Sequence, residues 1–330
     1  MAIITNTYTT SGRVGNREEL SDYVDRITPE ETVIYTMAGK ESASSIQPEW
    51  EIETLRAPAA NAQVEGDQYT YNAQTTPIRV KNPMQILRES WIISKTQDAV
   101  DNAGKAEQTA KKRLIAGINL RRDAEFAIVS NTASVATGTR LLGGLPSWLT
   151  SNVSRGATGA NGGYNTGTGL TVAATNGTQR AFTKTIMDSV LQSARINGGN
   201  PKYLVSSSYV KSVFATFMSD ANVAPFRMSV DGTGKNILDG SADIYVGQHG
   251  RIAIVDNPVM NASAAVARNA FFLEPGKLKV KQLRKFQDDK DVAPNADATA
   301  GVIVGELTLK VVNEAAHGVA ADLFGLTAST

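Results

Sequence analysis

The chain has 330 residues, with 33 Lys plus Arg against 32 Asp plus Glu, a formal charge of +1, no cysteine and only two histidines, His249 and His317. The lack of cysteine excludes disulfides, thiolate metal sites, iron–sulfur clusters and cysteine nucleophiles, and two histidines nearly exclude a histidine-rich metal centre. No stretch approaches the ~18–20 apolar residues of a membrane span, and the N-terminus lacks the basic-then-apolar order of a signal peptide, so the chain reads as soluble and as made in a reducing compartment or indifferent to redox state.

The first 46 residues are polar. Within them Leu20, Tyr23, Val24 and Ile27 recur at helical spacing. Thr28-Pro29-Glu30-Glu31 predicts a helix N-cap, with proline at the first helical position and acids in the first turn. The short helix that follows is expected to run to about Ala38 and stop at Gly39. The segment has too few apolar residues to fold alone and reads as an arm.

Residues 47–56 alternate, with Trp50, Ile52 and Thr54 on one face and Glu49, Glu51 and Glu53 on the other. Residues 76–88 alternate too, placing Ile78, Val80, Met84 and Ile86 opposite Arg79 and Lys81. The stretch between them is polar and turn-rich. Together they predict a long antiparallel hairpin whose strands of ~10 residues span ~33 Å, with three carboxylates facing two cations across the ladder. Such a hairpin is marginal alone. No neighbouring segment supplies an obvious cover for its apolar face, which implies a partner surface. Pro83 predicts an edge position.

Residues 103–130 predict the longest helix, roughly 40 Å. Residues 138–178 hold Gly-Thr-Arg-Leu-Leu-Gly-Gly-Leu-Pro-Ser-Trp-Leu-Thr-Ser-Asn and then a run rich in Gly, Thr, Asn and Ala without periodicity, which reads as a long surface loop or ribbon. Helices are expected over 181–195 and 207–219, with a short buried strand at Tyr203-Leu204-Val205 between them. From residue 241 five strands are expected: 242–247, 251–257, 269–275, 277–286 and 301–313. In the last, Ile303, Leu307, Leu309 and Val311 share a face. A polar loop over 287–300 and a short apolar tail complete the chain.

Net charge is unevenly distributed: −5 over residues 1–100, +8 over 101–230 and −2 over 231–330. Two readings are open. The blocks balance within one chain, or they pair head to tail between copies, a long-ranged and salt-sensitive attraction.

No catalytic or cofactor motif emerges. The Gly-Lys pairs lack upstream P-loop glycines, and there is no G-x-S-x-G elbow, H-E-x-x-H or correctly placed dinucleotide fingerprint. The alternating Glu49, Glu51 and Glu53 read as a solvated or salt-bridged face, and Asp288, Asp289 and Asp291 as a solvated loop without an EF-hand pattern. His249 reads as a turn residue and His317 as a packing or capping histidine. The basic helix 105–122 and the face Lys277, Lys279, Lys281 lack the interleaved aromatics of a nucleic-acid surface and read as solvated or intersubunit faces. No cofactor, metal site or catalytic residue is expected.

The order of parts is the stronger signal: polar arm, long hairpin, long helix, Gly-rich loop, helix, short strand, helix, strands, polar loop, final long strand. It resembles the major capsid proteins of tailed bacteriophages, the Hong Kong 97-type (HK97-like) family. Leu142-Gly143-Gly144-Leu145-Pro146-Ser147-Trp148-Leu149 is similar to a G-L-x-S-W segment of one capsid subfamily. Asn197-Gly198-Gly199-Asn200-Pro201 before Tyr203 resembles the turn into the central strand of the axial domain, and residues 251–276 its later strands. The final strand, 301–313, followed by Gly318, resembles the return to the peripheral domain.

That resemblance implies an α+β HK97-like capsid fold: an N-terminal arm (1–46), an extended β-hairpin or E-loop (47–98), the spine helix and Gly-rich loop of the P-domain (99–180), a region that is mainly A-domain (181–275), and the P-domain return strands with the tail (276–330). It implies a structural protein, not an enzyme. Hexamers and pentamers would assemble in the host bacterial cytoplasm into the icosahedral head of a virion enclosing double-stranded DNA. The expected partners are neighbouring subunits and the packaged DNA, with portal, scaffolding and decoration proteins as further ones, and no membrane. The expected intersubunit contacts are Glu49, Trp50, Glu51, Ile52, Glu53, Arg79, Lys81, Lys277, Lys279 and Lys281. Some family members carry a charged scaffolding segment ahead of the arm; this sequence starts at the arm, so scaffolding is expected to be separate, absent or already removed. The alternatives are an encapsulin-like shell around protein cargo, another phage structural protein such as a tail component, or an enzyme.

Overall fold

The computed structural model describes residues 28–69, 71–99, 108–217, 228–230, 236–238, 244–247, 250–289 and 297–329. In chain order the first elements are α1 (Val33–Met37), β1 (Gly39–Ser42), β2 (Glu49–Ile52), β3 (Ile78–Lys81), β4 (Gln85–Ser94), α2 (Lys95–Ala99) and α3 (Gln108–Val129). Next come α4 (Leu145–Trp148), β5 (Val153–Ser154), β6 (Gly163–Asn165), β7 (Leu170–Val172), α5 (Lys184–Ile196), β8 (Tyr203–Ser206) and α6 (Ser208–Thr216). The remainder are β9 (Met228–Val230), β10 (Asn236–Leu238), β11 (Ile244–Gly247), β12 (Gly250–Asp256), α7 (Ala264–Ala267), β13 (Ala270–Leu273), β14 (Leu278–Asp289), β15 (Ala298–Val311) and β16 (Gly318–Ala320).

Two sheets organise these elements. The first has the order β1-β14-β15-β4, antiparallel except for the β1–β14 pair. Alternation in β15 turns Ile303, Leu307, Leu309 and Val311 inward, as their spacing predicts, and α3 packs across β4 and β15 through Ala116 and Leu120. The second sheet has the order β11-β12-β8-β13-β16-β5. Helices α5 and α6 cover one of its faces with Met187, Val190, Leu191 and Phe214, packed on Leu204, Ile252, Ile254 and Phe272. Thr183 caps α5 and Ser207 caps α6, each side chain accepting from the backbone N–H three residues on. The main core joins the two sheets: Phe271, Leu273 and Val319 meet Leu278, Val280, Leu309 and Val311 around Ile128, Leu145 and Trp148.

Several boundaries differ from the sequence reading. The first helix is capped at Thr32 rather than Thr28, because Pro29–Glu31 precede it as non-helical chain. The long helix is described from Gln108, and its predicted start at 103 lies outside the described residues. The hairpin ladder holds only four pairs, Glu49–Lys81 through Ile52–Ile78, not ten-residue strands; beyond Thr54 the alternation gives way to Arg-Ala-Pro-Ala-Ala-Asn. The predicted second strand breaks at Asn82-Pro83, where proline has no N–H to donate, and restarts as β4 in the first sheet. Ile78 and Ile86 are therefore exposed while Val80 and Met84 are buried. Pro83 itself lies between two strands rather than on an edge.

The Gly-rich run is not surface throughout, since Thr171 and Ala174 are buried, and the stretch ahead of it is core. Leu142, Leu145, Trp148 and Leu149 enter the main core, and Gly144 comes so close to the Ser130 carbonyl oxygen that a Cβ would sit 1.9 Å from it. Strands β14 and β15 extend into the predicted polar loop at 287–300, and the tail contributes β16 to the interior of the second sheet. The predicted arm helix around Leu20–Ile27 and the His249 turn lie outside the described residues.

Candidate intersubunit surfaces

The hairpin is anchored at its base and bare at its tip. Trp50 in β2 stands over Trp148 with ring centroids 5.5 Å apart, and Trp148 stacks on Tyr164 of β6 at 5.5 Å and 8°. Both indole N–H groups donate to backbone carbonyls, Trp50 to Val311 at 3.1 Å and Trp148 to Gly143 at 3.2 Å. Asn82, fully buried, accepts from Gly143 N at 2.8 Å and donates to the Leu309 carbonyl at 2.7 Å. The apolar face of the ladder thus finds its cover within the same chain, where sequence pattern alone implied a partner surface. The signal for that cover was the Leu-Pro-Ser-Trp segment, whose burial no periodicity announces.

The opposite face of the ladder is charged. Arg79 lies 3.5 Å from Glu49 and 3.7 Å from Glu51, all three well exposed. Lys81 stands opposite Glu49 in register, and Glu53 lies just past the ladder in exposed chain. Ile52 packs half-buried against the core, whereas its partner Ile78 is exposed. Beyond them Leu55, Val64, Tyr69 and Tyr71 are 97%, 80%, 90% and 96% exposed. An apolar hollow of about 540 Å³ opens between the hairpin base and the β6–β7 ribbon, floored by Val80, Trp148 and Val311 and edged by Ile78 and Val172.

Lys277, just before β14, and Lys279 and Lys281 within it do not form one free face. Lys279 bonds Glu41 of β1, Lys281 lies 4.0 Å from the same carboxylate, and Lys310 reaches it at 3.2 Å. The hydrogen bond from Lys279 is the main influence holding the Glu41 carboxyl below its usual range. Lys279 and Lys281 therefore fasten β1 onto β14, and Lys277 alone of the three is exposed. Sequence pattern missed Glu41, which sits in a four-residue strand too short to show alternation. It also missed buried Glu306, bridged by Arg140 at 2.5 Å and Arg284 at 3.3 Å, because those partners come from distant segments.

A second buried carboxylate ties the arm side to the body. Glu125 of α3 is wholly buried and accepts from Ile34 N at 2.9 Å, Tyr35 N at 2.6 Å and Asn257 Nδ2 at 2.6 Å. Burial raises its pKa, and those three donors oppose the shift. His317 is equally enclosed, accepting from Glu274 N at Nδ1 and facing the Lys277 carbonyl with Nε2. Burial pushes its pKa down to about 4. Among the described residues no three His, Asp or Glu side chains are grouped to hold a metal ion, and no helix is long and apolar enough to cross a membrane.

An exposed, unpaired hairpin tip on a rigidly seated base, joined to two sheets and a long helix, defines the class: the fold is that of the HK97-like phage capsid subunit. The cyanophage A-1(L) capsid asymmetric unit superposes with a TM-score of 0.63 at 13% identity, over 93% of this chain and 97% of that one. The capsid of the native GTA particle gives 0.58 at 12% identity, over 97% and 99%. The holo-SrpI encapsulin complex of Synechococcus elongatus PCC 7942 gives 0.54 at 9% identity, over 96% and 95%. The chain belongs to the SU10 major capsid protein family, whose sequence profile matches residues 3–324, a family of structural capsid proteins rather than enzymes. The major capsid protein of Escherichia phage Phieco32 is 25% identical over 120 residues, 36% of this chain; the match spans about a third (34%) of that relative's length.

Proposed function

We propose that the chain builds the icosahedral head of a tailed phage as hexamers and pentamers around double-stranded DNA, assembling in the host bacterial cytoplasm. The observation that carries this reading is the contrast within the hairpin. Its base is locked to its own chain by Trp50 and Asn82, while Leu55, Val64, Tyr69 and Tyr71 stand almost fully exposed. Large apolar side chains held away from their own core favour contact with another copy, and a non-isologous contact of this kind closes into rings.

In this reading the first sheet with α3 is the P-domain and the second sheet with α5 and α6 the A-domain. The intersubunit contact uses the outward face of the hairpin, with Glu49, Glu51, Glu53, Arg79, Lys81, Ile52 and the tip, together with exposed Lys277. Trp50, Lys279 and Lys281 serve it from behind by holding β2 and β1 in place. Portal, scaffolding and decoration proteins are the further partners. Replacing residues 55–75 with a short Gly-Ser turn tests the proposal. Subunits with native circular dichroism that no longer form particles support it; normal particles refute it.

The encapsulin likeness supports a second reading, a shell enclosing protein cargo. Nuclease-protected DNA inside purified particles favours the head, and a co-purifying enzyme favours the compartment.

A further inference from the structure

Strand β4 is an edge of the first sheet, and among the described strands it pairs only with β15. The ladder runs without a register shift from Gln85–Leu307 to Ser94–Ala298. Its phase is set just past one end, where the Lys95 N–H donates to the Asp297 carbonyl at 3.3 Å. Bonded and non-bonded pairs alternate along an antiparallel ladder, so the odd-numbered residues of β4 bond to β15. Ile86, Arg88, Ser90 and Ile92 therefore turn their N–H and C=O groups to the open side. Among the described residues none of these backbone groups has a hydrogen-bond partner.

This edge has neither proline nor bulge between Gln85 and Ser94, two of the devices by which proteins keep an edge strand from pairing. The side chains of the same four residues are exposed on the sheet face away from α3, and Ile86 and Ile92 among them are 46% and 68% exposed. On the flank of α3 away from β14, a hollow of about 580 Å³ lies beside Glu89 of β4 and is walled by Asn119, Phe126 and Val259. The edge thus offers a row of unpaired amides and carbonyls, an apolar outer face, and room for side chains on the inner one. These are the requirements for receiving an added strand.

We propose that residues 68–76 of a neighbouring copy add to β4 as a fifth strand of the first sheet. The inference rests on the reading of the hairpin tip as the part that reaches a second copy, and it names where the tip lands. Gln-Tyr-Thr-Tyr-Asn-Ala-Gln-Thr-Thr is uncharged, free of Pro and Gly, and rich in the Tyr and Thr that favour strands. The other arm of the tip, 55–64, is interrupted by Pro58 and carries Arg56. In their own subunit the described residues of 68–76 lie outside every ladder, with Tyr69 and Tyr71 90% and 96% exposed. Paired to the edge, Tyr69 and Tyr71 fall on one face of the new strand. On the outer face they meet Ile86 and Ile92, an aromatic against β-branched pairing that favours a sheet. From Ile86 to Ile92 the edge spans ~20 Å, which the segment covers. A tip on one copy and an edge on the next make a head-to-tail contact, the kind that closes into rings.

Residue-resolved hydrogen exchange on the native protein reads these amides directly. Exchange at Ile86, Arg88, Ser90 and Ile92 is expected to be fast in unassembled subunits and at least tenfold slower in shells. Equal exchange in both states overturns the proposal and leaves the shell reading standing; if the native protein forms no shells, the two fall together. The absence of native cysteine allows a second test in the full chain. Tyr71→Cys is combined in turn with Ile86→Cys, Arg88→Cys, Ser90→Cys and Ile92→Cys, and the shells are oxidised. At least one pair is expected to form an intermolecular disulfide at least tenfold faster than the control, Tyr71→Cys with Ile196→Cys, whose partner is 76% exposed at the end of α5. Rates no faster than the control overturn the proposal. Disulfides between copies that carry only the β4 cysteine also overturn it, because they show two edges facing each other with no strand between.

Discussion

The indole of Trp50 packs on that of Trp148 at 5.5 Å and 33°, while its N–H donates to the Val311 carbonyl at the end of the longest strand. One side chain thus holds the hairpin to both the Gly-rich segment and the first sheet. Trp50→Ala is expected to destabilise the subunit by about 3–5 kcal/mol, measured by denaturant unfolding. Trp50→Phe keeps the ring contact and strands the carbonyl, for a loss of about 1–2 kcal/mol.

The outer charges behave differently. The Arg79 pairs with Glu49 and Glu51 are exposed, so each contributes less than about 1 kcal/mol to folding. Reversing Glu49, Glu51 and Glu53 to Lys should leave unfolding midpoints nearly unchanged yet impair assembly, most visibly at low salt. Normal particle yields at both low and high salt would refute the role given to this face.

Much of this architecture was legible in the sequence because it rests on periodicity. Ile303, Leu307, Leu309 and Val311 alternate in β15, Val190 and Leu191 mark the inner face of α5, and Asn197-Gly198 ends that helix. What escaped was tertiary. A two-residue interruption at Asn82-Pro83 divides one alternating run between two sheets, and no local pattern states that Trp148 lies under Trp50. The lysine face looked free because its neutralising partner, Glu41, lies 238 residues before Lys279 and is joined to it only by β1–β14 pairing. The capsid resemblance came from the order of elements, which survives when individual boundaries move.

Glu125 links α1 to α3 and to Asn257 through three donors and meets no acceptor. Glu125→Ala leaves two buried backbone N–H groups and an amide unpaired. A loss of about 3 kcal/mol or more is expected, with hydrogen exchange rising first at Ile34 and Tyr35.

His317 sets an acid limit. Glu274 N–H already points at Nδ1, so a second ring proton would face a donor, and burial holds the folded pKa down to about 4 against an ordinary 6.5. The folded state therefore binds this proton less readily than the unfolded chain. Stability from the neutral ring is fully present above about pH 6.5 and is lost as pH falls towards 4. That loss approaches about 3 kcal/mol. His317→Gln should flatten the dependence of the unfolding midpoint between those pH values.

The central claim, that the hairpin is seated on its own subunit and completes its contacts on another, is tested most directly by cryo-electron microscopy of the purified, assembled protein. The account predicts closed icosahedral shells in which Trp50 packs on Trp148 of the same chain while Tyr69 and Tyr71 are buried against a neighbouring subunit. Open tubes, dispersed monomers, or shells whose hairpin tips stay solvent-exposed would contradict it.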